Sequence, residues 1–406
     1  MKIFHALLLL ITIVSCSKSE KSVREEKIDP VLRDRANALA QKFIIVDGHI
    51  DVPYRLKNKW EDISQKTPEG HFDYIRAKAG GLNALFMSIY VPARYQKIGG
   101  AMQVADELID MVYGFSEKWP DKFGIAVKEE EILNQVAEDK ISLLMGMENG
   151  APIEADLENL KYFYDRGIRY ITLAHSKNNL ICDSSYDSTR QWHGLSDFGE
   201  KVVAEMNRLG IMIDISHVTD STFYEVMALS TAPVIASHSS CRYFTPSWER
   251  NMNDEMIIAL AENGGVMMVN FGSAFLKGEY YDKAEKLHAG IKKYLKDHHL
   301  NRNDEHAKIY ESQIIEENVL GDVDDVVVHI DHVVNLVGID YVGFGSDFDG
   351  VSFLPRGLED VSKYPNLIYQ LLKKGYSEED IEKICSGNIL RVMSDVQNIA
   401  EYFQSI

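Results

Sequence analysis

Five short apolar segments of this sequence each end in an imidazole or a carboxylate. The terminal residues are His49 with Asp51, Glu148, His175, His217 and His238, in the segments FIIVDGHID, LLMGME, RYITLAH, IMIDISH and PVIASH. Histidines scattered through a core would not all follow a β-branched or apolar run. In a parallel barrel the carboxyl ends of all strands surround one mouth, where the active site lies. The pattern therefore predicts that these residues converge on one site.

The residue types in this pattern indicate a metal centre. Imidazoles and carboxylates together suit zinc or a similar divalent ion. His49 and Asp51 are two positions apart, so they share a strand face and can reach one ion. Glu148 has two oxygens and can bridge to a second ion held by His217 and His238. We expect two ions roughly 3.5–4 Å apart with a water between them, which lowers the pKa of that water.

The elements that carry these residues predict a (β/α)8 barrel, the TIM-barrel fold. Amphipathic helical stretches alternate with strands that are apolar on both faces, as expected for buried parallel strands. A doubly wound open sheet is the alternative, but the sequence has no GxGxxG or GxxxxGK loop. The eight predicted strands are 43–47, 84–91, 142–147, 169–174, 211–216, 233–237, 265–271 and 341–346.

Two stretches depart from the regular alternation. Residues 272–320 are charged and predict a helical insertion after the seventh strand, and residues 375–404 predict two closing helices. The insertion is rich in lysine and glutamate, so we expect its histidines to be solvated. They are His288, His298, His299 and His306.

The N-terminus has the features of a targeting segment. Lys2 precedes a short apolar run, and small Ser15 precedes Cys16. We expect residues 1–15 to be a lipoprotein signal peptide, Cys16 to carry lipid, residues 16–32 to be a tether, and residues 33–406 to be the (β/α)8 domain that holds the metal centre. An ordinary secretory signal is the alternative. With lipid on Cys16, the protein would be membrane-anchored in the cell envelope, on the periplasmic or surface side.

Charge and cysteine content exclude other classes. The 406 residues are 45% hydrophobic, which is enough for a large core. The net charge is −19, and nucleic acid is an unsuitable partner because phosphate binding needs a basic surface. Three cysteines remain after Cys16, so a disulfide framework is not implied. A homodimer is one assembly that we consider for this chain.

The segments DGHIDVP, GMENG, RYITLAHSKNN, IDISHV, PVIASHSS, RNMND, MMVNF, HIDHVVNLVG and VGFGSDFDG occur in order over roughly residues 42–400. In these segments the chain resembles the membrane (renal-type) dipeptidases, which are zinc peptidases of the metal-dependent hydrolase barrel group. The resemblance implies that His49, Asp51 and Glu148 hold one zinc ion, and that Glu148, His217 and His238 hold the other.

The resemblance also implies how a dipeptide would be bound and cleaved. His175 and Arg250 would bind the substrate and the tetrahedral intermediate, and Asp347 would transfer the proton during attack by a water between the metals. Tyr54, where relatives often carry tryptophan, would contact the substrate. Gly272 and Phe275 stand where mammalian relatives carry tyrosines, which leaves the side-chain preference open.

Several other residues of types that could do chemistry are expected to have structural roles. We expect Asp349 to shape its loop, His329 and His332 to be helix and interface residues, and Cys241 to have no base partner. Two other functions stay open at this point. One is an amidohydrolase acting on N-acyl amino acids, lactams or lactones, and the other is a metal-binding surface lipoprotein without turnover.

Overall fold

Parallel strands that are apolar on both faces close into a barrel. The computed structural model describes residues 28–302 and 304–405. Within these residues nine strands form one sheet, and every pairing is parallel. The strands are β1 (Ile45–Ile50), β2 (Leu82–Tyr90), β3 (Phe123–Ile125), β4 (Ile141–Glu148), β5 (Ile168–Thr172), β6 (Met212–Asp214), β7 (Ile235–Ser239), β8 (Val266–Val269) and β9 (Val342–Phe344).

The order of the strands confirms the predicted (β/α)8 barrel. The ring runs β1, β2, β4, β5, β6, β7, β8, β9 and back to β1, and the direct β2–β4 pairing closes it. The open-sheet alternative is therefore wrong. The short strand β3 pairs only with the first residues of β4 and stands outside the ring. It was not predicted, because three residues are too few to show a strand pattern.

Helices surround the barrel and connect its strands. Helix α8 illustrates their boundaries, since the Ser196 side chain accepts from Gly199 N–H at its start and Gly210 adopts φ +84° at its end. The helices are α1 (Pro30–Lys42), α2 (Val52–Asn58), α3 (Tyr74–Gly80), α4 (Tyr95–Ile98), α5 (Ala101–Lys118), α6 (Glu129–Ala137), α7 (Glu158–Asp165), α8 (Asp197–Leu209), α9 (Asp220–Leu229), α10 (Asp254–Glu262), α11 (Gly278–Asp297), α12 (Glu305–Glu317), α13 (Val323–Val337), α14 (Tyr364–Lys374), α15 (Glu378–Glu382) and α16 (Asn388–Ser405).

The insertion and the C-terminal stretch are helical, as predicted. Helices α11 and α12 follow β8, and α15 and α16 are separated by a five-residue π-helical turn, Lys383–Gly387. Helix α16 contributes Val392 and Met393 to the same apolar cluster as the strand-starting residues Met212, Ile235 and Val266. It therefore closes the amino-terminal end of the barrel and leaves the carboxyl-terminal end open.

The described part of the chain begins just before α1. The Asp29 side chain accepts hydrogen bonds from the N–H groups of Val31 and Leu32, so the helix begins at Pro30, inside the range predicted as a tether. The predicted signal peptide and Cys16 lie outside the described residues. Among residues 28–302 and 304–405, every helix is too short or too polar to cross a bilayer. Their three cysteines are buried and free.

Candidate metal centre

The strand ends bring the predicted ligands to one end of the barrel. His49, Glu148 and His238 lie within the last residues of β1, β4 and β7. His175 and His217 come three residues after β5 and β6, so these two strands end earlier than predicted. We call His49, Asp51, Glu148, His217 and His238 the candidate metal centre.

Two of the predicted site residues at this end of the barrel have unusual backbone conformations. His217 has φ 73° and Asp347 has φ 61°, and a left-handed backbone is uncommon for residues other than glycine. Such conformations cost of order 1–3 kcal/mol and cluster at functional sites. The turns that follow β6 and β9 therefore aim these two side chains back over the barrel mouth.

Glu148 lies between two sets of imidazoles. Its Oε1 is 3.1 Å from Nε2 of His217 and 3.5 Å from Nε2 of His238. Its Oε2 is 3.6 Å from Nε2 of His49. Each carboxylate oxygen thus faces a different group of potential ligands, as a bridging carboxylate requires.

Asp51 and His175 complete the ring around Glu148. Asp51 Oδ2 is 3.4 Å from His49 Nε2, and His175 Nε2 is 3.5 Å from Glu148 Oε1. His175 was predicted to act on the substrate, yet its Nε2 is as close to Glu148 as that of the predicted ligand His238. Both histidines and Asp51 therefore reach the same small volume.

The far side of the His49 ring is fixed by Tyr170. The Tyr170 hydroxyl lies 2.7 Å from His49 Nδ1 and donates to the Gly48 carbonyl at 3.1 Å. Gly146 in β4 makes room for this phenol ring, because a Cβ at that position would lie 2.0 Å from the Tyr170 ring. Sequence reasoning missed Tyr170, which lies inside the segment RYITLAH, where only the terminal His175 was considered.

A second support holds His238. The Ser237 hydroxyl lies 2.7 Å from His238 Nδ1 and donates to Asp214 Oδ2 at 2.6 Å. Asp214 also accepts from the Thr172 hydroxyl and from the N–H groups of Ser216 and Ser237. In both His49 and His238, Nε2 therefore points at Glu148, while Nδ1 is hydrogen-bonded to a hydroxyl on the opposite side of the ring. His217 differs, because its Nδ1 is buried without a partner.

The charges of the centre favour a cation. Burial acts to raise the pKa of Glu148, but the imidazoles of His175 and His49 and hydrogen bonds from His217 and His238 hold it well below its usual range. Burial lowers the pKa of His217 and His238 well below the ordinary value, so both rings are neutral and keep a lone pair. Neutral imidazoles and ionised carboxylates are the forms that bind metals.

Two contacts test whether a divalent ion fits. Nε2 of His217 and Nε2 of His238 face each other at 2.8 Å, and Nε2 of His49 is buried without a hydrogen bond. Burial acts to lower the pKa of His49, but Tyr170, Glu148 and Asp51 raise it well above its ordinary value, so an ion would replace a proton on this ring. The Nε2 atoms of all three rings are aimed at one carboxylate and are arranged as ligands. Potential ligand atoms lie within 4.8 Å of one another in three groups, His49–Glu148–His238, Glu148–His175–His217 and His49–Asp51–Asp347. The residues fit a centre in which Glu148 is shared.

Asp347 lies beside the centre and in its third ligand group. Its Oδ2 accepts a hydrogen bond of 2.8 Å from the Asn270 amide, which follows β8. Burial raises the pKa of Asp347 to about 8. A Cβ on Gly350 would lie 2.2 Å from both Asp347 Oδ1 and Asp51 Oδ2, so only glycine allows the two carboxylates this approach.

Arg250 lies close to the centre and is fixed by hydrogen bonds to neighbouring residues. It is 2% exposed, and its Nη atoms donate to the Ser239 hydroxyl at 2.6 Å and to the His238 carbonyl at 2.7 Å. Nη2 also lies 3.3 Å from His217 Nε2. The guanidinium thus lies at the edge of the centre, with its Nε buried and without a partner.

A cavity of about 650 Å³ opens above the centre, a size typical of small-molecule sites. It is lined by Asp51, Glu148, His175, His217 and Asp347, and by Tyr54. Gly272 and Phe275 line it too. Sequence reasoning missed three further tyrosines of the lining, Tyr90, Tyr186 and Tyr281 of α11. Tyr90 ends β2, so the strand-end rule could have found it, whereas Tyr186 lies in a long loop with no such signal.

One histidine of the insertion was predicted wrongly. His298, His299 and His306 are exposed as expected, but His288 is half-buried and lines the cavity. The lysine-rich sequence around His288 reflects the outer faces of α11, whereas His288 itself lies on the face that meets the barrel mouth.

The remaining predicted residues have structural contacts. Asp349 pairs with Arg55 at 2.9 Å and accepts from the His71 N–H, so it shapes its loop as predicted. His329 bonds to the Cys241 N–H and the Leu276 carbonyl inside the fold. His332 pairs with Asp254 at 2.7 Å on the outer side of α13. Neither histidine lines the cavity.

The comparisons with known proteins agree with this geometry. The family model described as membrane dipeptidase (peptidase family M19) matches residues 33–406. Dipeptidase 3 of Rattus norvegicus is 32% identical over 92% of this chain and 69% of its own length. Dipeptidase tcpJ of Claviceps purpurea is 33% identical over 87% of this chain and 77% of its own length.

Solved structures show the same fold. The probable dipeptidase PvdM from Pseudomonas aeruginosa has a TM-score of 0.80 and 26% identity, with 92% of this chain and 100% of that chain covered. A metallopeptidase from Rhodobacter sphaeroides, bound to a phosphinate mimic of the dipeptide L-Ala-D-Ala, has a TM-score of 0.72 and 26% identity over 87% of this chain and 99% of that chain. The chain belongs to the membrane dipeptidase family, peptidase family M19, and is a metal-dependent hydrolase.

Proposed function

We propose that this enzyme hydrolyses the peptide bond of dipeptides with two zinc ions that share Glu148. The observation that carries the proposal is the division of the Glu148 carboxylate, with Oε2 toward His49 and Oε1 toward His217 and His238. The names of the relatives support a dipeptide as substrate, and the phosphinate ligand of the Rhodobacter sphaeroides protein mimics one.

Five residues would hold the ions. His49, Asp51 and Glu148 would bind one, and Glu148, His217 and His238 the other. Zinc at such positions polarises a carbonyl oxygen and lowers the pKa of water. Asp51 and Glu148 supply the negative charge, and Tyr170 and Ser237 keep the ligand nitrogens of His49 and His238 directed at Glu148.

Asp347 is the proposed proton carrier. It lines the cavity beside Asp51, and Asn270 fixes its Oδ2. It would accept a proton from the water that attacks the peptide carbonyl and deliver that proton to the leaving amine. The peptide C–N bond breaks, one water molecule is consumed, and two amino acids are released.

His175, Arg250 and Tyr54 are the proposed substrate groups. His175 lines the cavity and can donate a hydrogen bond to the developing oxyanion. Arg250, at the edge of the centre, would offer its charge to the oxyanion or to a substrate carboxylate. Tyr54 lines the cavity on the side of Tyr90, with the two ring centres 4.9 Å apart.

The direct test is amine release from dipeptides and from the matching tripeptides, with zinc added to metal-depleted protein. Zinc-dependent cleavage of dipeptides with little cleavage of tripeptides supports the proposal. Equal cleavage of both would replace it with a broader peptidase, and hydrolysis only of N-acyl amino acids, lactams or lactones would make the protein a different amidohydrolase.

The proposed location is the cell envelope, with residues 1–15 removed, lipid on Cys16 and residues 33–406 as the hydrolase domain. The support is the apolar run followed by Ser15 and Cys16. Metabolic labelling with a fatty acid tests this, since label should enter the wild type and be absent from Cys16→Ser. Sedimentation of the soluble domain tests the homodimer, which stays a prediction.

A further inference from the structure

The first turns of α11 form one wall of the cavity above the candidate metal centre. Tyr281, Ala284, Glu285 and His288 all line it. Their spacing of three, four and seven residues places them on one face of the helix. The insertion thus presents a continuous stripe of side chains to the same space that Glu148 and the other candidate ligands occupy.

This wall is a fixed part of the fold. Lys277 forms an ion pair of 2.5 Å with Asp325 at the start of α11, and the Tyr280 hydroxyl donates to Asp325 at 3.2 Å. Ala284 is 2% exposed and packs in an apolar cluster with Leu320 and Phe353. The stripe is therefore positioned by contacts to α13 and to the loop after β9, and the cavity is closed on this side.

The chemistry of the wall is aromatic. The Trp248 ring centre lies 4.6 Å from that of Tyr281 and 4.9 Å from that of Phe275, and Phe353 lies 5.2 Å from His288. Small residues interrupt the aromatic rings, and they are Gly272, Ala274 and Ala284. The small residues leave room for a bulky apolar group of a ligand. Packing against the aromatic rings and burial from water would both stabilise that group.

The charges on this wall argue against an acidic group. Glu285 is the charged residue of the stripe, and it has no hydrogen-bond or ion-pair partner among the described residues. Within the described ranges, the cavity lining contains no lysine or arginine. A carboxylate placed against the α11 side of this wall would meet Glu285, whereas the Arg250 guanidinium, 5.1 Å from the Phe275 ring centre, does not line the cavity.

We infer that α11 and Trp248 form a side-chain subsite that takes a bulky apolar, above all aromatic, side chain of the substrate. The inference rests on the proposed dipeptidase function and assigns a role to the insertion. Discrimination of this kind is worth about 1–3 kcal/mol for each methylene group in an apolar pocket, or roughly 10- to 200-fold.

The test is a panel of dipeptides cleaved by the full chain loaded with zinc. Alanine occupies one position and Gly, Ala, Leu, Phe or Glu the other, in both orders. In one of the two orders, kcat/KM for Phe should exceed that for Ala by roughly tenfold or more, and Glu should be poorer than Leu. Tyr281→Ala should reduce the Phe-to-Ala ratio by about fivefold or more, because part of the wall is removed.

Two further variants make the test specific. Tyr294→Ala is the matched control, since Tyr294 is on the same helix but stacks on Tyr310 and does not line the cavity. It should leave the ratio unchanged. Ala284→Leu should lower the same ratio by narrowing the subsite, without removal of any wall residue. These readouts compare substrates within one protein, so a partly unfolded preparation does not distort them.

The possible results separate the two claims. If dipeptides are cleaved but the Phe-to-Ala ratio is near one, or is the same in wild type, Tyr281→Ala and Ala284→Leu, the subsite is overturned and the dipeptidase function stands. A preference for Glu over Leu overturns it as well. If the zinc-loaded chain cleaves none of the dipeptides, the proposed function fails and the subsite with it.

Discussion

The Tyr170 hydroxyl and the His49 imidazole are joined by a 2.7 Å hydrogen bond beneath the candidate metal centre. The phenol proton is directed at the Gly48 carbonyl, 3.1 Å away, so the phenol oxygen accepts from His49 Nδ1–H. This assignment leaves Nε2 to face Asp51 and Glu148. Burial acts to lower the pKa of His49, but Tyr170, Glu148 and Asp51 raise it well above its ordinary value, so a metal ion would take the place of the Nε2 proton. A neutral side chain with no ligand role thus selects the tautomer that a metal needs.

Tyr170→Phe should weaken binding of one metal ion by about 10- to 100-fold, the usual cost of losing a hydrogen bond behind a ligating histidine. The ring and its packing remain, so the fold should be unchanged. Zinc affinity is measured by competition with a chelator. Tyr162→Phe is the control, because the Tyr162 hydroxyl bonds to Asp106 on the outer surface. Equal zinc affinity in all three proteins would exclude a positioning role for Tyr170.

Asp347→Asn should reduce turnover of a dipeptide by about a hundredfold or more, the scale of a general acid–base contribution. The amide keeps the shape of the side chain and can still accept from Asn270, but it cannot carry the proton. Metal content should stay at the wild-type level, as measured by elemental analysis. Near wild-type turnover would remove Asp347 from the mechanism.

Arg250→Ala should lower kcat/KM for dipeptides by roughly tenfold or more, because a charged hydrogen-bond partner contributes about 1.5–3 kcal/mol. Arg250→Lys should recover only part, since lysine cannot bond to Ser239 and the His238 carbonyl with a planar fork. Arg190→Ala, at an exposed ion pair with Glu249, is the control. If Arg250→Ala keeps full kcat/KM, the arginine only supports the loop.

His329 should make the protein less stable in acid. Burial lowers its pKa to about 4, from 6.5 for the ordinary side chain. Its Nδ1 accepts the Cys241 N–H at 3.0 Å and its Nε2 donates to the Leu276 carbonyl, so a second ring proton would break the first of these bonds. Because the unfolded chain takes up the proton first, stability present above pH 6.5 is lost as the pH falls toward 4.

Between pH 7 and pH 5 this residue should account for about 2 kcal/mol of the free energy of unfolding. His329→Asn should lack that part of the pH dependence in denaturant unfolding of the protein. His306→Asn, at an exposed position on α12, should behave as the wild type. The same pH slope in wild type and His329→Asn would show that His329 is not responsible.

The barrel and the convergence of the strand-end residues could be predicted from the sequence, because apolar runs mark the strands and a parallel barrel brings their carboxyl ends together. It was insufficient for Tyr170, whose hydroxyl meets His49 from a position 121 residues away. It also misjudged His288, since residue composition does not tell which face of α11 meets the barrel. Strand β3 was missed because only the neighbouring strand β4 holds its three residues in place.

The most direct measurement is a zinc titration of metal-depleted protein, with bound zinc and dipeptide hydrolysis recorded on the same samples. The shared position of Glu148 predicts that hydrolysis rises to a plateau at two zinc ions per chain. Glu148→Ala should bind neither ion tightly and should be inactive. Full hydrolysis of a dipeptide at one ion per chain, or without metal, would contradict the two-metal account.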